Sequence, residues 1–296
     1  DPDEEVEPEI WFTETVYQKP IPQVDVLWVV DNTGSMLGEH TALKEAFGDF
    51  VRTLEEAQLG YQIGVITTDM EGEGGALRGN PWIITPGLAD PESAFERSID
   101  VGEDSTAQEA GLAAMYAALN DPLKSGANRG FRRSTAALHV IAVSDSNDSS
   151  DDWFSGNVLQ IITAFLKDEE AATQLPVIFS AVVGDTPVGC SGPSGTATSG
   201  LRYVELVNRT GGAFASICQA SLQSVLETFG ELSVVFPRRF ELNQAAAVDS
   251  LRVSIDSLVV DNWSYDASSQ SVWFEEPPLA DSMLEFRYRL DEDSGS

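Results

Sequence analysis

Basic residues are scarce in this chain. Seventeen Lys and Arg stand against 48 Asp and Glu, for a formal net charge of −31. A surface of that sign repels nucleic acid and anionic lipid, which removes both from the partner classes to consider. It draws divalent cations and suits an extracellular or salt-rich setting, although solubility alone would also account for it. Histidine is scarcer still, with His40 and His139 alone. Neither stands beside a candidate nucleophile, so hydrolase chemistry has little to build on. His139 lies inside an apolar run and reads as a packed strand residue. No Gly-x-Ser-x-Gly elbow is present; Gly192-Pro193-Ser194-Gly195-Thr196 fails at its last place. There is no P-loop, and Gly72-Glu73-Gly74-Gly75 is not a dinucleotide fingerprint, because the third glycine falls wrong and no helix opens there. No apolar run approaches the length of a membrane span. Cysteine is limited to Cys190 and Cys218, too few for a zinc site with no histidine pattern near them. In an exported chain they read as one disulfide pinning an insertion to a sheet; in a cytosolic one they are two free thiols.

What is present centres on Val24-Asp25-Val26-Leu27-Trp28-Val29-Val30-Asp31-Asn32-Thr33-Gly34-Ser35-Met36. So short and apolar a run reads as a strand buried on both faces of a parallel sheet. It stops on an acid and passes into small, oxygen-bearing residues. Positions two apart in an extended segment point the same way. Asp31, Thr33 and Ser35 can therefore aim one carboxylate and two hydroxyls at a point above the strand's C-terminal edge, where open α/β sheets bind ligands. Hard oxygen donors of this kind suit Mg²⁺, Mn²⁺ or Ca²⁺.

Asp-Asn-Thr-Gly-Ser-Met after an apolar strand resembles the first loop of a von Willebrand factor type A (vWA) domain. That family carries a metal-ion-dependent adhesion site (MIDAS) with the pattern Asp-x-Ser-x-Ser. Here Thr33 replaces the usual first Ser and keeps the hydroxyl. The resemblance implies two further ligands from later loops. Thr106, just before a small-residue helix, matches the family's Thr, with Ser105 as the alternative; without the resemblance both would read as N-caps. Asp145, at the end of a later strand, matches the family's Asp. The implied fold is a doubly wound, mostly parallel sheet of order 3-2-1-4-5-6 flanked by helices. Thr67-Thr68-Asp69 and the cysteine pair are similar to vWA proteins of the bacterial cell surface.

The chain's 296 residues allow one large or two modest domains. Residues 1–9 are an acidic tail. Ile10–Tyr17 is rich in aromatic and β-branched types and predicts a strand, followed by a stiff Lys19-Pro20-Ile21-Pro22 link. The vWA-like domain covers 23–236. Its predicted helices are Glu39–Gln58, Ala107–Leu119, Val158–Glu170, Leu201–Arg209 and Ser221–Leu232. Its strands, after the central one, are Tyr61–Thr68, Pro81–Thr85, Ala136–Val143, Leu175–Val183 and Ala213–Ile217. Asp69 falls on the same rim as Asp31. Arg129, Arg132 and Arg133 predict intramolecular ion pairs. Residues 184–200 form an inserted loop. After Pro237 short strands alternate with turns and no helix is evident, which predicts a small all-β module over 237–296 that residues 10–22 help complete.

The acidic run Asp145 to Asp152 supports two readings. It is not an EF-hand, since Ser150 stands where that loop needs Gly and Gly156 where it needs Glu. Asp148, Asp151 or Asp152 could hold a second Ca²⁺, or the run is a solvated loop with an N-cap. The chain begins at Asp1, not Met, as it would after removal of a signal peptide. The function the resemblance implies is metal-dependent capture of a protein ligand presenting Asp or Glu, in an exported or cell-surface protein with no catalytic role. The competing reading is a subunit of a surface assembly whose metal only stabilises rim loops. A haloacid dehalogenase-type phosphotransferase ranks last, because it needs a second Asp where Thr33 stands.

Overall fold

The computed structural model describes residues 10–100 and 108–290. They form two compact units. One spans Ile21–Val235; the other combines the two flanks, up to Pro20 and from Phe236.

The first strand, β1 (Trp11–Tyr17), belongs to the flanking unit. The α/β unit runs β2 (Gln23–Val30), α1 (Leu37–Glu56), β3 (Gly60–Thr67), α2 (Pro91–Ile99), α3 (Gly111–Leu119), β4 (Ala137–Ser144), α4 (Val158–Thr173), β5 (Val177–Val183), β6 (Cys190–Ser191), β7 (Thr196–Ala197), α5 (Leu201–Thr210), β8 (Phe214–Ser216) and α6 (Gln223–Ser233). Its main sheet is five-stranded and parallel, in the order β3-β2-β4-β5-β8. This is the doubly wound arrangement that the sequence pattern implies, with one strand reduced. Pro81–Thr85 contributes only an antiparallel bridge, Ile63 to Ile84, with both N–H···O distances at 2.8 Å. Pro81 lacks an N–H, and Pro86 stops the ladder on the other side.

The central strand shows why both faces must be apolar. Val24, Val26, Trp28 and Val30 face one layer, with Phe47, Phe50, Phe95 and Phe229. Leu27 and Val29 face the other, with Leu112, Met115, Ile162 and Tyr203. Trp28 is fully buried and meets the rings of Phe47, Phe50 and Phe95 edge-on, 5.3–6.4 Å between centroids. Phe95 comes from α2, a helix absent from the sequence-based expectation. Asp90 caps it by accepting the Ser93 N–H at 2.9 Å, and Pro91 opens it.

At the sheet's N-terminal edge the acid inside β2 is neutralised. Buried Asp25 accepts from the Arg133 Nε and backbone N–H at 2.7 and 2.6 Å and from Arg132 at 3.3 Å. Arg132 also reaches Glu169 at 3.2 Å. His139, fully buried in β4, lies between the Ser233 and Ser180 hydroxyls at 2.7 and 2.8 Å, and burial pushes its pKa down to about 3. It is a core residue, as its setting in the sequence implies.

The insertion is a small hairpin, β6 with β7, tied by the Cys190–Cys218 disulfide to the residues after β8 (Cα–Cα 6.0 Å). It lies on the start of α1. A Cβ at Gly38 would come 2.6 Å from the Ser194 carbonyl oxygen, and one at Gly195 would come 2.9 Å from Glu39 Oε1. Glycine at both places permits the approach.

The flanking unit adds β9 (Arg239–Glu241), β10 (Arg252–Ile255), β11 (Leu258–Val260), β12 (Trp263–Asp266), β13 (Ser271–Phe274) and β14 (Met283–Arg289). They make two antiparallel sheets, β1-β14-β10-β11 and β12-β13-β9. The N-terminal strand pairs with β14 along its whole length, from Trp11↔Arg289 to Tyr17↔Met283. Phe240, Val253, Val272, Phe274, Leu284 and Phe286 share one core. Edge strand β12 was not anticipated; its alternating, half-exposed side chains give a weak apolar signal.

Candidate metal centre

Three loops meet at the C-terminal rim of β2, β3 and β4. The first follows β2. Asp31 is fully buried, and its Oδ1 accepts the Thr33 N–H at 2.9 Å and the Thr33 hydroxyl at 2.8 Å. The Ser35 hydroxyl lies 3.1 Å from that of Thr33. Asp31, Thr33 and Ser35 thus come together, but only Thr33 is extended; Ser35 reaches it from a 3₁₀ turn, Gly34–Met36, and not by strand alternation. The other carboxylate oxygen, Oδ2, accepts from Ser144 Oγ at 2.6 Å. Behind the loop, His40 Nε2 lies 2.7 Å from the Asp31 carbonyl oxygen. Burial lowers the His40 pKa, so a neutral ring donates this bond.

The second loop precedes α3. Thr106 and Ser105 lie outside the described residues. Glu109 does not, and it is the residue sequence reasoning missed. A helix predicted from Ala107 would carry Glu109 on its surface. Instead α3 begins at Gly111, and Glu109 bridges to Asp69. Ala110 N–H donates to the Thr68 carbonyl at 3.0 Å, and the Ser149 N–H and hydroxyl both donate to the Glu109 carbonyl at 2.9 Å. Gly111 carried the available signal, because glycine is poor inside a helix and tolerable at its start.

The third loop follows β4. Asp145 is buried and accepts from Ser146 Oγ at 3.2 Å. The Thr198 N–H of the insertion holds its carbonyl at 2.8 Å. One carboxylate oxygen each from Asp31, Glu109 and Asp145 lie within 4.8 Å of one another. Oxygens on opposite sides of an ion sit about 4.2 Å apart for Mg²⁺ and about 4.8 Å for Ca²⁺. The set therefore fits a hard divalent cation.

The electrostatics agree. Burial above all raises the pKa of Asp31, Glu39 and Glu109, and neighbouring carboxylates add to it; hydrogen bonds from Ser144 and Thr33 at Asp31, and from Ser146 at Glu109, act the other way. Glu39, in the first turn of α1, is buried, and its Oε2 has no hydrogen-bond partner. A buried anion so placed is costly without a counter-charge. Beside the cluster opens a cleft of ≈450 Å³, with Ser35, Asp145 and Ser146 on one side and Pro187, Val188 and Thr198 of the insertion on the other.

The remaining acids are spent elsewhere. Asp69 Oδ1 accepts the N–H groups of Glu71 and Gly72, both at 2.9 Å. At Asp148 and Asp151, two of the three acids where the sequence left open a second Ca²⁺ or a solvated loop, the structure places an arginine. The Arg202 guanidinium contacts Asp148 Oδ2 at 3.1 Å and Asp151 at 3.0 and 3.2 Å. Asp148 also caps α3 through the Leu112 N–H at 2.9 Å, and Asp152 accepts from Gln108 at 3.3 Å. Arg202, from the first turn of α5, thus pairs with two of the acids of this loop.

Neither a scan against protein-family models nor a search of curated proteins finds a match. Among solved structures, the chain is similar to the pilus adhesin SpaC of Lactobacillus rhamnosus GG in its open conformation (13% identity, TM-score 0.44, covering 99% of this chain and 42% of that one). It is also similar to proximal thread matrix protein 1 of the mussel byssus (14% identity, TM-score 0.43, 77% and 51% coverage). The chain thus spans less than half the length of the adhesin. No helix among the described residues is long and apolar enough to cross a membrane.

Proposed function

We propose that this chain is a vWA-type binding module of an exported or cell-surface protein. It would hold Mg²⁺, or Mn²⁺ or Ca²⁺, at a MIDAS-type rim site and capture a protein partner through an Asp or Glu of that partner. One observation carries the reading: three carboxylates from three separate loops converge within 4.8 Å at the ligand-binding edge of a parallel sheet. The charges acting most on Asp31 and Glu109 are other carboxylates and not basic side chains. Asp31 and Asp145 would be the charged ligands, with Thr33, Ser35 and Thr106 supplying hydroxyls directly or through water. The ion would neutralise the cluster and present a Lewis-acidic face to an incoming carboxylate. The disulfide supports an oxidising compartment.

Calorimetry with each ion on the wild type and on Asp145→Ala tests the site. Loss of binding in the variant, with the fold intact by circular dichroism, is the expected result; undiminished binding sinks the assignment. A pull-down from the native cell surface, in Mg²⁺ and then in chelator, tests partner capture. Capture that survives chelation would favour a metal that only stabilises the rim loops of an assembly subunit.

A further inference from the structure

We propose that Glu109 is an internal ligand of the rim cation, occupying the position that an incoming carboxylate would take. The site is then capped by its own chain, and partner capture requires the Glu109 side chain to swing away. This rests on the metal-binding reading above.

Four observations lead here. First, Glu109 is no bystander at the rim: one of its carboxylate oxygens belongs to the group of three within 4.8 Å. Secondly, its main chain is held separately from its side chain, whose carboxylate meets the Ser146 hydroxyl of the third loop. Ser149 holds the Glu109 carbonyl with two hydrogen bonds, and Ala110 N–H is held by Thr68. Rotation about the side-chain torsions can remove the carboxylate without moving the loop. Thirdly, Glu109 is half-buried whereas Asp31 and Asp145 are buried, so Glu109 lies on the solvent side of the cluster, where a ligand arrives.

The fourth observation is the charge balance. Asp31 and Asp145 already match a divalent cation, and Glu109 takes the set to a net negative charge. Glu39 adds another buried carboxylate, unpartnered at Oε2 and close enough for Asp145 and Asp31 to raise its pKa. A partner's carboxylate entering beside all of these meets repulsion in a poorly solvated pocket. Exchange for Glu109 keeps the charge constant. The two carboxylates are therefore competitors, and Glu109 sets the threshold for capture. A partner must supply contacts beyond its acid to win, and the cleft walled by Pro187, Val188 and Thr198 adjoins the cluster where such contacts can form.

The experiment uses the whole chain with Mg²⁺ and Tb³⁺ as metal probes and acetate as the carboxylate probe. Wild type, Glu109→Gln and Glu109→Ala are compared after circular dichroism shows native spectra. Tb³⁺ luminescence lifetimes in H₂O and D₂O count the waters on the ion. With Glu109 as a ligand, Glu109→Ala gains at least one bound water and its Mg²⁺ affinity falls about tenfold or more. Acetate binds the Mg²⁺-loaded variants more tightly than the wild type, although their metal sites are weaker. That inversion is what a merely structural Glu109 would not produce. An unchanged water count, or acetate affinity equal to or below wild type in both variants, overturns the proposal while leaving the metal site standing. A wild type that binds neither Mg²⁺ nor Tb³⁺ fails at the earlier step and removes both readings.

Discussion

Asp145→Asn should move stability in opposite directions with and without metal. The substitution keeps the side chain's shape and an oxygen able to accept from Ser146 Oγ, now 3.2 Å away. It removes one charge from a group of carboxylate oxygens lying within 4.8 Å of one another. Two unit charges at that distance repel by about 3.5 kcal/mol at an effective dielectric constant of about 20. Asp31 and Glu109 already relieve part of this through raised pKa values. The net gain for chelated protein at neutral pH should then be about 1–2 kcal/mol, or about 2–8 °C in midpoint for a unit of this size. In excess Mg²⁺ the order reverses, because the wild type gains binding free energy that the variant has lost. Thermal unfolding of both proteins, in EDTA and in saturating Mg²⁺, gives the four midpoints required. If Asp145→Asn lowers the midpoint in EDTA, the carboxylates are not in net repulsion and the reasoning is wrong.

Asp25→Ala makes the complementary case at the opposite edge of β2, about 20 Å from Asp31 along the strand. It strands Arg133 and part of Arg132 in a buried setting and should cost about 3–4 kcal/mol in urea unfolding, with Mg²⁺ affinity unchanged by calorimetry. Replacing Cys190 and Cys218 together by Ser opens a loop of sequence separation 28. The expected loss is about 3.5 kcal/mol by denaturant titration, and intact mass with and without reductant checks the bond itself. The pH dependence follows from Asp31, Glu39 and Glu109, whose folded pKa values are raised. The folded state holds these protons more tightly than the unfolded chain, so their ionisation destabilises metal-free protein as pH rises through the raised range. Metal binds the ionised forms. The Mg²⁺-dependent rise in midpoint should therefore shrink on going from about pH 8 to about pH 5, and a gain that grows in acid would contradict it.

The sequence disclosed the parts whose physics is local. An apolar run ending in Asp31 could only be a buried strand with a polar exit, and Thr33 continues its extended backbone; Ser35 was expected beside it for the wrong reason, since a 3₁₀ turn and not strand alternation brings it there. His139 was legible as core because its neighbours on both sides are apolar. Glu109 was not legible, since its place at the rim depends on Asp69, Thr68 and Ser149, which are distant in sequence and draw it into a bridge instead of a helix. Arg202 was hidden for the same reason: a residue in α5 compensates a loop after β4. The helix Pro91–Ile99 is a different case. Asp90, Pro91 and the apolar Ala94, Phe95 and Ile99 are all local signals, but the turn-like run before them masks the helix start. In Pro81–Thr85 composition suggested a strand, and the two prolines at its borders left too few N–H groups to build one.

The Ile21 N–H donates to the Val235 carbonyl at 2.8 Å, so the α/β unit begins and ends at one point. This bears on the order in which the chain can assemble. During synthesis β1 emerges first and its partner β14 last, and until then β1 has no edge to join. Once Ile21–Val235 has folded, that stretch no longer counts as floppy loop between the two strands, since its ends are already tied together. Closing the remaining, shorter loop costs about 1–2 kcal/mol less in chain entropy. The α/β unit thus acts as a clasp in the chain, and the β module, drawn from the sequence on either side of it, closes at a lower entropic cost once that unit has folded.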